Sequence, residues 1–394
     1  MRLSVLKKPL VGEVELPISK SIANRDLIIA AIAKQSILLP EQLPEDVRIL
    51  QASLKSNAAE VNVGMAGTAM RFLAAYFAAG QNNEVLLTGN QRMKQRPIGL
   101  LVDALKDIGA DVSYTEKNGF PPLKIKGLDL AGGEVQISTE VSSQFVSALM
   151  LIAPSMKNGL TIRLVGKVLS KPYIQLTATC MRNAGVNVEF YADRISIPKG
   201  KYQVQNVLIE ADWSSASYLY ALACVKPGSK LLLRGLKLNS PQGDTVLADW
   251  FKPLGVTSIQ KETGVEISSG GVLNYPKEID FSSSPDLAQT FAFLTAALGE
   301  KLKLTGLDNL RLKETDRISA LKTELEKLGV LVFVDGNEIT VSGSISVNSA
   351  TVNTYNDHRM AMSAAVLSSF IPIEVENPDV VAKSFPAFWQ QIAV

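Results

Sequence analysis

Cations gather near the starts of apolar runs along this 394-residue chain: Lys20, Arg25, Arg71, Arg96, Lys171, Lys313, Arg317, Arg359 and Lys383. The net charge is only +2, so the clustering is local. Arginine forks match phosphate and carboxylate bidentately, and lysine adds point charge, so such a set suits several anions at once. Asp286 and Glu314 interrupt the basic series. Acids among cations make poor anion ligands, so these two read as groups that move protons or hold a hydroxyl. The one histidine, His358, stands between Asp357 and Arg359 in TYNDHRMAMS. We read it as a donor lining a site, with Arg359 the better ligand contact.

A repeating unit positions these groups. Polar clusters followed by dense Ala/Leu/Met/Phe runs begin at Ser19, Ala66, Val141, Asp212, Ser284 and Asn356. Each predicts a capped helix that is apolar nearly all round and therefore buried. Aligned on Ser21, Thr68, Ser142, Ser214, Asp286 and His358, the last four fall at equal spacing, whereas Ser21 and Thr68 stand closer. The free N–H groups and dipole of such helix starts favour negative charge. A second, amphipathic helix follows in each interval. In TDRISALKTELEKLG, Ile318, Leu321, Leu325 and Leu328 share one face, with Thr315 as expected N-cap and Gly329 just past the end. RPIGLLVDALKDIG and KPYIQLTATCMRNAG open on proline in the first turn and stop at Gly109 and Gly185, and DTVLADWFKPLG is the fourth. Alternating strand pairs come next, as in VLVFVDGNEITVSG. The unit is thus buried helix, strand, amphipathic helix, hairpin. In the short first interval PEDVRILQASLK reads as the second helix, but no hairpin follows it, so the first unit is expected to lack its strand pair. Units that need neighbours to cover their faces suggest two bodies of three.

Length favours two domains, and 46% apolar with 20% charged residues describes a globular protein. Near-neutral charge argues against nucleic-acid or membrane-surface binding through bulk charge. Cys180 and Cys224 offer no metal spacing or disulfide framework, and a cytoplasmic, reducing compartment is expected. The opening residues hold no secretion signal, and no apolar stretch approaches a bilayer span.

LPISKSIANR, AGTAMR, RMKQRPI, VSSQF, SKPY, LKETDR, YNDHRMAM and KSFPAF stand in one order along the chain. In these motifs the sequence resembles the 5-enolpyruvylshikimate-3-phosphate (EPSP) synthase family of enolpyruvyl transferases. The resemblance implies an α/β fold of two domains, each of three βαβαββ units around buried parallel helices, with the first unit shortened. One domain would comprise 1–18 with 211–394 and hold both termini, the other 19–210, with the active site between them. The implied reaction passes the enolpyruvyl group of phosphoenolpyruvate to the 5-hydroxyl of shikimate 3-phosphate and releases phosphate through a tetrahedral intermediate. No metal or organic cofactor is implied, nor any nucleic-acid or membrane partner, and the chain is expected to act as a monomer.

Carried over by position, the resemblance assigns shikimate 3-phosphate to Lys20, Ser21, Arg25, Ser142, Ser143, Gln144, Ser170 and Tyr173, with Asp286, Asn309 and Lys313. Phosphoenolpyruvate falls to Lys20, Gly67, Arg96, Gln144, Arg317, His358, Arg359 and Lys383. Lys20, Asp286 and Glu314 are the catalytic candidates, without assignment to particular steps. A lysine base needs a depressed pKa, which the surrounding cations are expected to supply. The chain departs from the family pattern at Ile18, where a glycine is usual, and at Met65, which removes a polar asparagine side chain near the phosphoenolpyruvate pocket. The related transferase acting on UDP-N-acetylglucosamine is the nearest rival reading. It calls for a reactive cysteine on a mobile loop, whereas Cys180 and Cys224 lie in helical patterns. A non-catalytic anion binder is the rival from another class.

Overall fold

The computed structural model describes residues 1–80, 84–138, 143–166, 170–204, 208–271 and 274–392. The chain divides into two compact units, Lys20–Ile209 and Met1–Ser19 with Glu210–Val394.

The unit Lys20–Ile209 holds helices α1 (Lys20–Ala33), α2 (Glu45–Lys55), α3 (Gly67–Ala78), α4 (Gly99–Asp107), α5 (Ser143–Ile152) and α6 (Lys171–Asn183). Helices α1, α3 and α5 pack on one another as its interior, as their unbroken apolar composition requires. By contrast α2 turns Val47 and Leu50 inward, and its acids Glu45 and Asp46 and terminal Lys55 complement the helix dipole. Two sheets repeat one plan. Glu60–Asn62 runs parallel to Glu84–Thr88, which continues antiparallel to Leu123–Lys126 and Asp111–Tyr114. Gly133–Ser138 pairs likewise with Leu160–Val165, followed by Arg194–Ile197 and Glu189–Phe190. The strands before and after each buried helix are neighbours, and the hairpin extends them.

No such sheet accompanies α1 and α2. The missing hairpin agrees with the sequence spacing, but the strand expected between the two helices is absent too. Residues 34–44 are irregular, and Pro40 and Pro44 there lack the N–H that a strand ladder uses. Glu60–Asn62 serves the second unit's sheet instead.

In the other unit, α7 (Trp213–Val225), α9 (Ala288–Leu298) and α11 (His358–Ala364) are buried along nearly their whole length, with α8 (Leu247–Phe251), α10 (Arg317–Glu326) and α12 (Phe388–Gln391) beside them. The N-terminal segment completes two of its three sheets. Val11–Glu15 runs parallel to Lys230–Arg234, and Arg2–Leu3 pairs antiparallel with Ile373–Val375 where a hairpin would otherwise lie. Glu278–Asp280, Lys301–Thr305, Glu338–Ser342 and Leu331–Asp335 form the third on the common plan. Backbone bonds from Ser19 N to Glu210 O (2.8 Å) and from Asp212 N to Pro17 O (2.9 Å) join the two crossings of the chain.

Two details differ from expectation. The helix expected over DTVLADWFKPLG is a 3-10 turn, Gly243–Val246, then the five-residue α8, because Pro253 and the positive φ of Gly255 (79°) stop it. Asp316, not Thr315, caps α10: it stands directly before Arg317, and its carboxylate accepts from Ser319 N at 3.1 Å. Gly329 does end that helix at φ 82°. Among the described residues no helix is long and apolar enough to cross a membrane.

An aromatic cluster anchors this interior. The Phe291 ring lies 5.1 Å from Phe251, 5.6 Å from Phe281 and 5.6 Å from Trp250. Phe291→Ala is expected to cost about 3–5 kcal/mol, read as a lower urea midpoint, because this wholly buried site cannot collapse around alanine.

Candidate active site

The expected site residues form two groups, one in each unit. In the unit Lys20–Ile209 they gather at the starts of α1, α3, α5 and α6. Lys20 opens α1, and its ammonium lies 3.0 Å from the carboxylate of Asp46 in the first turn of α2. Asp46 is almost wholly buried, so the pair is shielded from water. The neighbour beside this ammonium is thus an acid, where the sequence pointed to surrounding cations. Nothing in the sequence marked Asp46, since an acid in a first helical turn is ordinary dipole complement.

Arg25 is buried and ties three helices together. Its Nε donates to Thr177 Oγ1 (2.7 Å), Nη1 to Ser21 O (2.7 Å), and Nη2 to Ser147 Oγ (3.3 Å) and Tyr173 O (3.0 Å). Burial pulls its pKa down, opposed by the Cys180, Tyr173 and Asp26 charges. The guanidinium also lies 5.5 Å from the Phe72 ring centroid. It is a brace that fixes Ser21 and the first turn of α6. Ser170, just before α6, adopts a left-handed conformation (φ 54°), a strain that non-glycine residues accept mostly at sites held by their surroundings. Ser143 opens α5, and Gln144 donates to Thr68 Oγ1 at 3.2 Å. Ser142 lies outside the described residues. Tyr173 is half-buried.

Gly67 begins α3 with the Arg96 guanidinium against it: a Cβ there would lie 2.5 Å from Nη1. The close approach explains why only glycine suits the position. Arg71, counted among the cap cations in the sequence, donates to Gly67 O (3.3 Å) and Pro97 O (2.9 Å), so it joins α3 to the segment carrying Arg96.

In the other unit, charges alternate. Arg317, the first residue of α10, is 1% exposed and meets three carboxylates: Asp357 (2.7 Å), Asp286 (3.0 Å) and Glu314 (3.0 Å). Asp286 also lies 2.7 Å from Arg359 and 3.5 Å from Lys313, and Glu314 lies 2.7 Å from Lys383. Burial opposes the charge on Arg317, but Asp357, Glu314 and Asp286 outweigh it and hold the guanidinium above its usual range. Asp357 is the N-cap of α11 and accepts from Arg359 N at 2.9 Å, so one carboxylate both caps a helix and fixes an arginine. His358 is buried, with Nδ1 3.8 Å from Asp357 Oδ1, beyond a hydrogen bond. Arg359 also donates to Tyr218 Oη at 3.3 Å. Burial pushes that phenol up to about 12, so it remains a neutral donor. Asn309 is half-buried, just before a 3-10 turn, Leu310–Leu312, that leads into Lys313 and Glu314.

The cations thus number Lys313, Arg317, Arg359 and Lys383, ordered by Asp286, Glu314 and Asp357. Sequence reasoning found all but Asp357 and Tyr218. The run NDHR held a signal for Asp357, since an acid before a buried helix is a cap, but nothing pointed to its second bond across to α10.

A sequence-family model described as EPSP synthase (3-phosphoshikimate 1-carboxyvinyltransferase) matches residues 41–392. The chain is 40% identical over 386 residues to the 3-phosphoshikimate 1-carboxyvinyltransferase of Bacteroides fragilis strain ATCC 25285, covering 96% of this chain and 94% of the relative. It is 39% identical over 416 residues to the enzyme of that name from Shewanella sp. strain ANA-3, covering 97% and 96%. The longer alignment, over nearly the same share of this chain, means that the Shewanella relative carries segments this chain lacks. A solved EPSP synthase structure from Acinetobacter baumannii shares the fold at a TM-score of 0.80 and 22% identity, covering 100% of this chain and 97% of that one.

Gly67→Ala must displace the Arg96 guanidinium. It is expected to weaken binding of phosphoenolpyruvate, the ligand that the resemblance gives Arg96, by about 10–100-fold, equivalent to one charged hydrogen bond. Titration calorimetry checks this, and an unchanged Kd contradicts it.

Proposed function

The chain belongs to the EPSP synthase family of 3-phosphoshikimate 1-carboxyvinyltransferases, and from that premise we propose which residues hold each substrate and move the protons. The enzyme transfers the enolpyruvyl group of phosphoenolpyruvate to shikimate 3-phosphate and releases phosphate, a step of aromatic amino-acid biosynthesis. Its substrates together bring two phosphates and two carboxylates. The cluster around Arg317 supports the reading, because several cations fixed in place by carboxylates fit such a load.

Shikimate 3-phosphate is held mainly by the unit Lys20–Ile209. Ser142, Ser143 and Ser170 take its phosphate, Ser21, Gln144 and Tyr173 its ring, and Arg25 braces the helices that carry them. Asn309 and Lys313 are proposed for the same substrate. Phosphoenolpyruvate takes Arg96 beside Gly67, together with Gln144, Arg317, His358, Arg359 and Lys383. Lys20 serves both substrates.

In the addition step the 5-hydroxyl bonds to C2 of the enol and C3 gains a proton. In the elimination step C3 loses a proton as the C2–O bond to phosphate breaks. Asp286 receives the hydroxyl proton. Glu314 has one oxygen on Arg317 and the other on Lys383, so both oxygens are engaged by cations. Lys20, paired with Asp46, is the donor to C3, and Glu314 orients the two cations that meet phosphoenolpyruvate. The working species is a monomer in the cytoplasm, where two buried, unlinked cysteines are at home.

The acceptor is the sugar acid rather than a nucleotide sugar. Cys180 and Cys224 are both buried in helices, and burial pushes the Cys224 thiol up to about 12, far from a reactive thiolate. A coupled phosphate-release assay is expected to give turnover with shikimate 3-phosphate and none with UDP-N-acetylglucosamine. Turnover only with the nucleotide sugar reverses the assignment, and tight binding without turnover marks a non-catalytic anion binder.

A further inference from the structure

Three cations weaken a carboxylate as a base. Asp286 has Arg317, Lys313 and Arg359 around it, yet it must take a proton from a hydroxyl. A second acid stands beside it. Asp244 lies in the 3-10 turn Gly243–Val246 and is 3% exposed. Its Oδ2 accepts a hydrogen bond from Ser214 Oγ in the first turn of α7. Its Oδ1 has no hydrogen-bond partner among the described residues.

The turn is fixed on both sides. Gln242 accepts from Trp213 N (3.2 Å) and donates to Ala211 O (2.8 Å), which ties it to the start of α7. Ser284 Oγ donates to Gly243 O at 3.3 Å, which ties it to the turn Pro285–Leu287 that carries Asp286. The charges facing Asp244 are those of Asp286, Arg359 and Asp212. Asp212 is occupied as the cap of α7, accepting from Ser215 N at 2.7 Å, and Asp249 on α8 is exposed to solvent.

We propose that Asp244 is a positioning residue for the transfer reaction, an acid whose charge, adjusted by Ser214, sets how firmly Asp286 holds the hydroxyl proton. Ionised, Asp244 offsets part of the cations' effect, and Asp286 is the stronger base. Protonated, it loses that effect. Burial and the Asp286 charge push the Asp244 carboxyl up to about 6, against the hydrogen bond from Ser214 and the charge of Arg359. Two acids in one site titrate as a pair, so the apparent value belongs to Asp244 and Asp286 together.

The proposal rests on Asp286 as the proton acceptor, so the test includes Asp286→Asn. The measurement is the pH dependence of kcat/KM for shikimate 3-phosphate at saturating phosphoenolpyruvate. Wild type is expected to show an acid limb near about 6. Asp244→Asn abolishes that limb and lowers the rate at about pH 8 by about tenfold, as a one-unit loss of basicity requires. Ser214→Ala, a small change that leaves the acid in place, moves the limb upward because it removes a bond that favours the ionised form. An Asp286→Asn enzyme as active as wild type sinks the parent reading. If Asp286→Asn is inactive while Ser214→Ala and Asp244→Asn keep the wild-type limb, this proposal alone fails. Should Asp244→Asn not fold, the limb of Ser214→Ala decides.

Discussion

Arg317 is a fully charged group with almost no access to water, and the rest of the site depends on how it is compensated. Taking a guanidinium out of water costs several kcal/mol, and only well-placed carboxylates make the position tenable. Asp357 supplies two contacts, at 2.7 and 3.3 Å, from the start of α11, while Asp286 and Glu314 come from the ends of two other segments. One buried cation therefore fixes the relative placement of α10, α11 and the turn before α9. The same carboxylates then fix Arg359, Lys313 and Lys383. Breaking this pairing at Asp357 would leave a buried charge uncompensated and loosen every cation in the cluster.

That constraint explains why the acids lie among the cations. A set of four positive groups, two at the starts of α10 and α11 and two at the ends of 3-10 turns, would repel itself unless acids stood between them. Asp286 and Glu314 do this, each through contacts to more than one cation. In the unit Lys20–Ile209 a single pair, Lys20 with Asp46, does the corresponding work, and Arg25 relies on neutral oxygens from three helices rather than on acids. The shortened first unit keeps both helices and loses its strands, so the Lys20–Asp46 pair survives without the sheet.

Much of this was legible in the sequence, for a physical reason. Buried helices must be apolar all round, so their boundaries and even spacing are visible, and cations at their starts are conspicuous against a near-neutral chain. Gly109, Gly185 and Gly329 marked helix ends because positive φ is costly for other residues. Partners across the fold were not legible. Asp46 and Asp244 are acids at ordinary helix or turn positions, and only the packing of α1 on α2, or of residues 243–246 on α7, makes them neighbours of Lys20 and Ser214. Arg71 shows the same limit: its bonds to Gly67 O and Pro97 O, which hold α3 to the next segment, left no mark in the sequence. Asp316 displaced Thr315 as the cap, a one-residue difference in where α10 begins.

Steady-state kinetics of Asp286→Asn test the central claim, that this acid handles a proton and does not serve as an anion ligand. Removing a negative charge from among Arg317, Arg359 and Lys313 cannot weaken attraction for an anion. The account therefore predicts a kcat lower by on the order of 10²–10⁴-fold with a KM for phosphoenolpyruvate that is unchanged or reduced. A raised KM with kcat intact would contradict it.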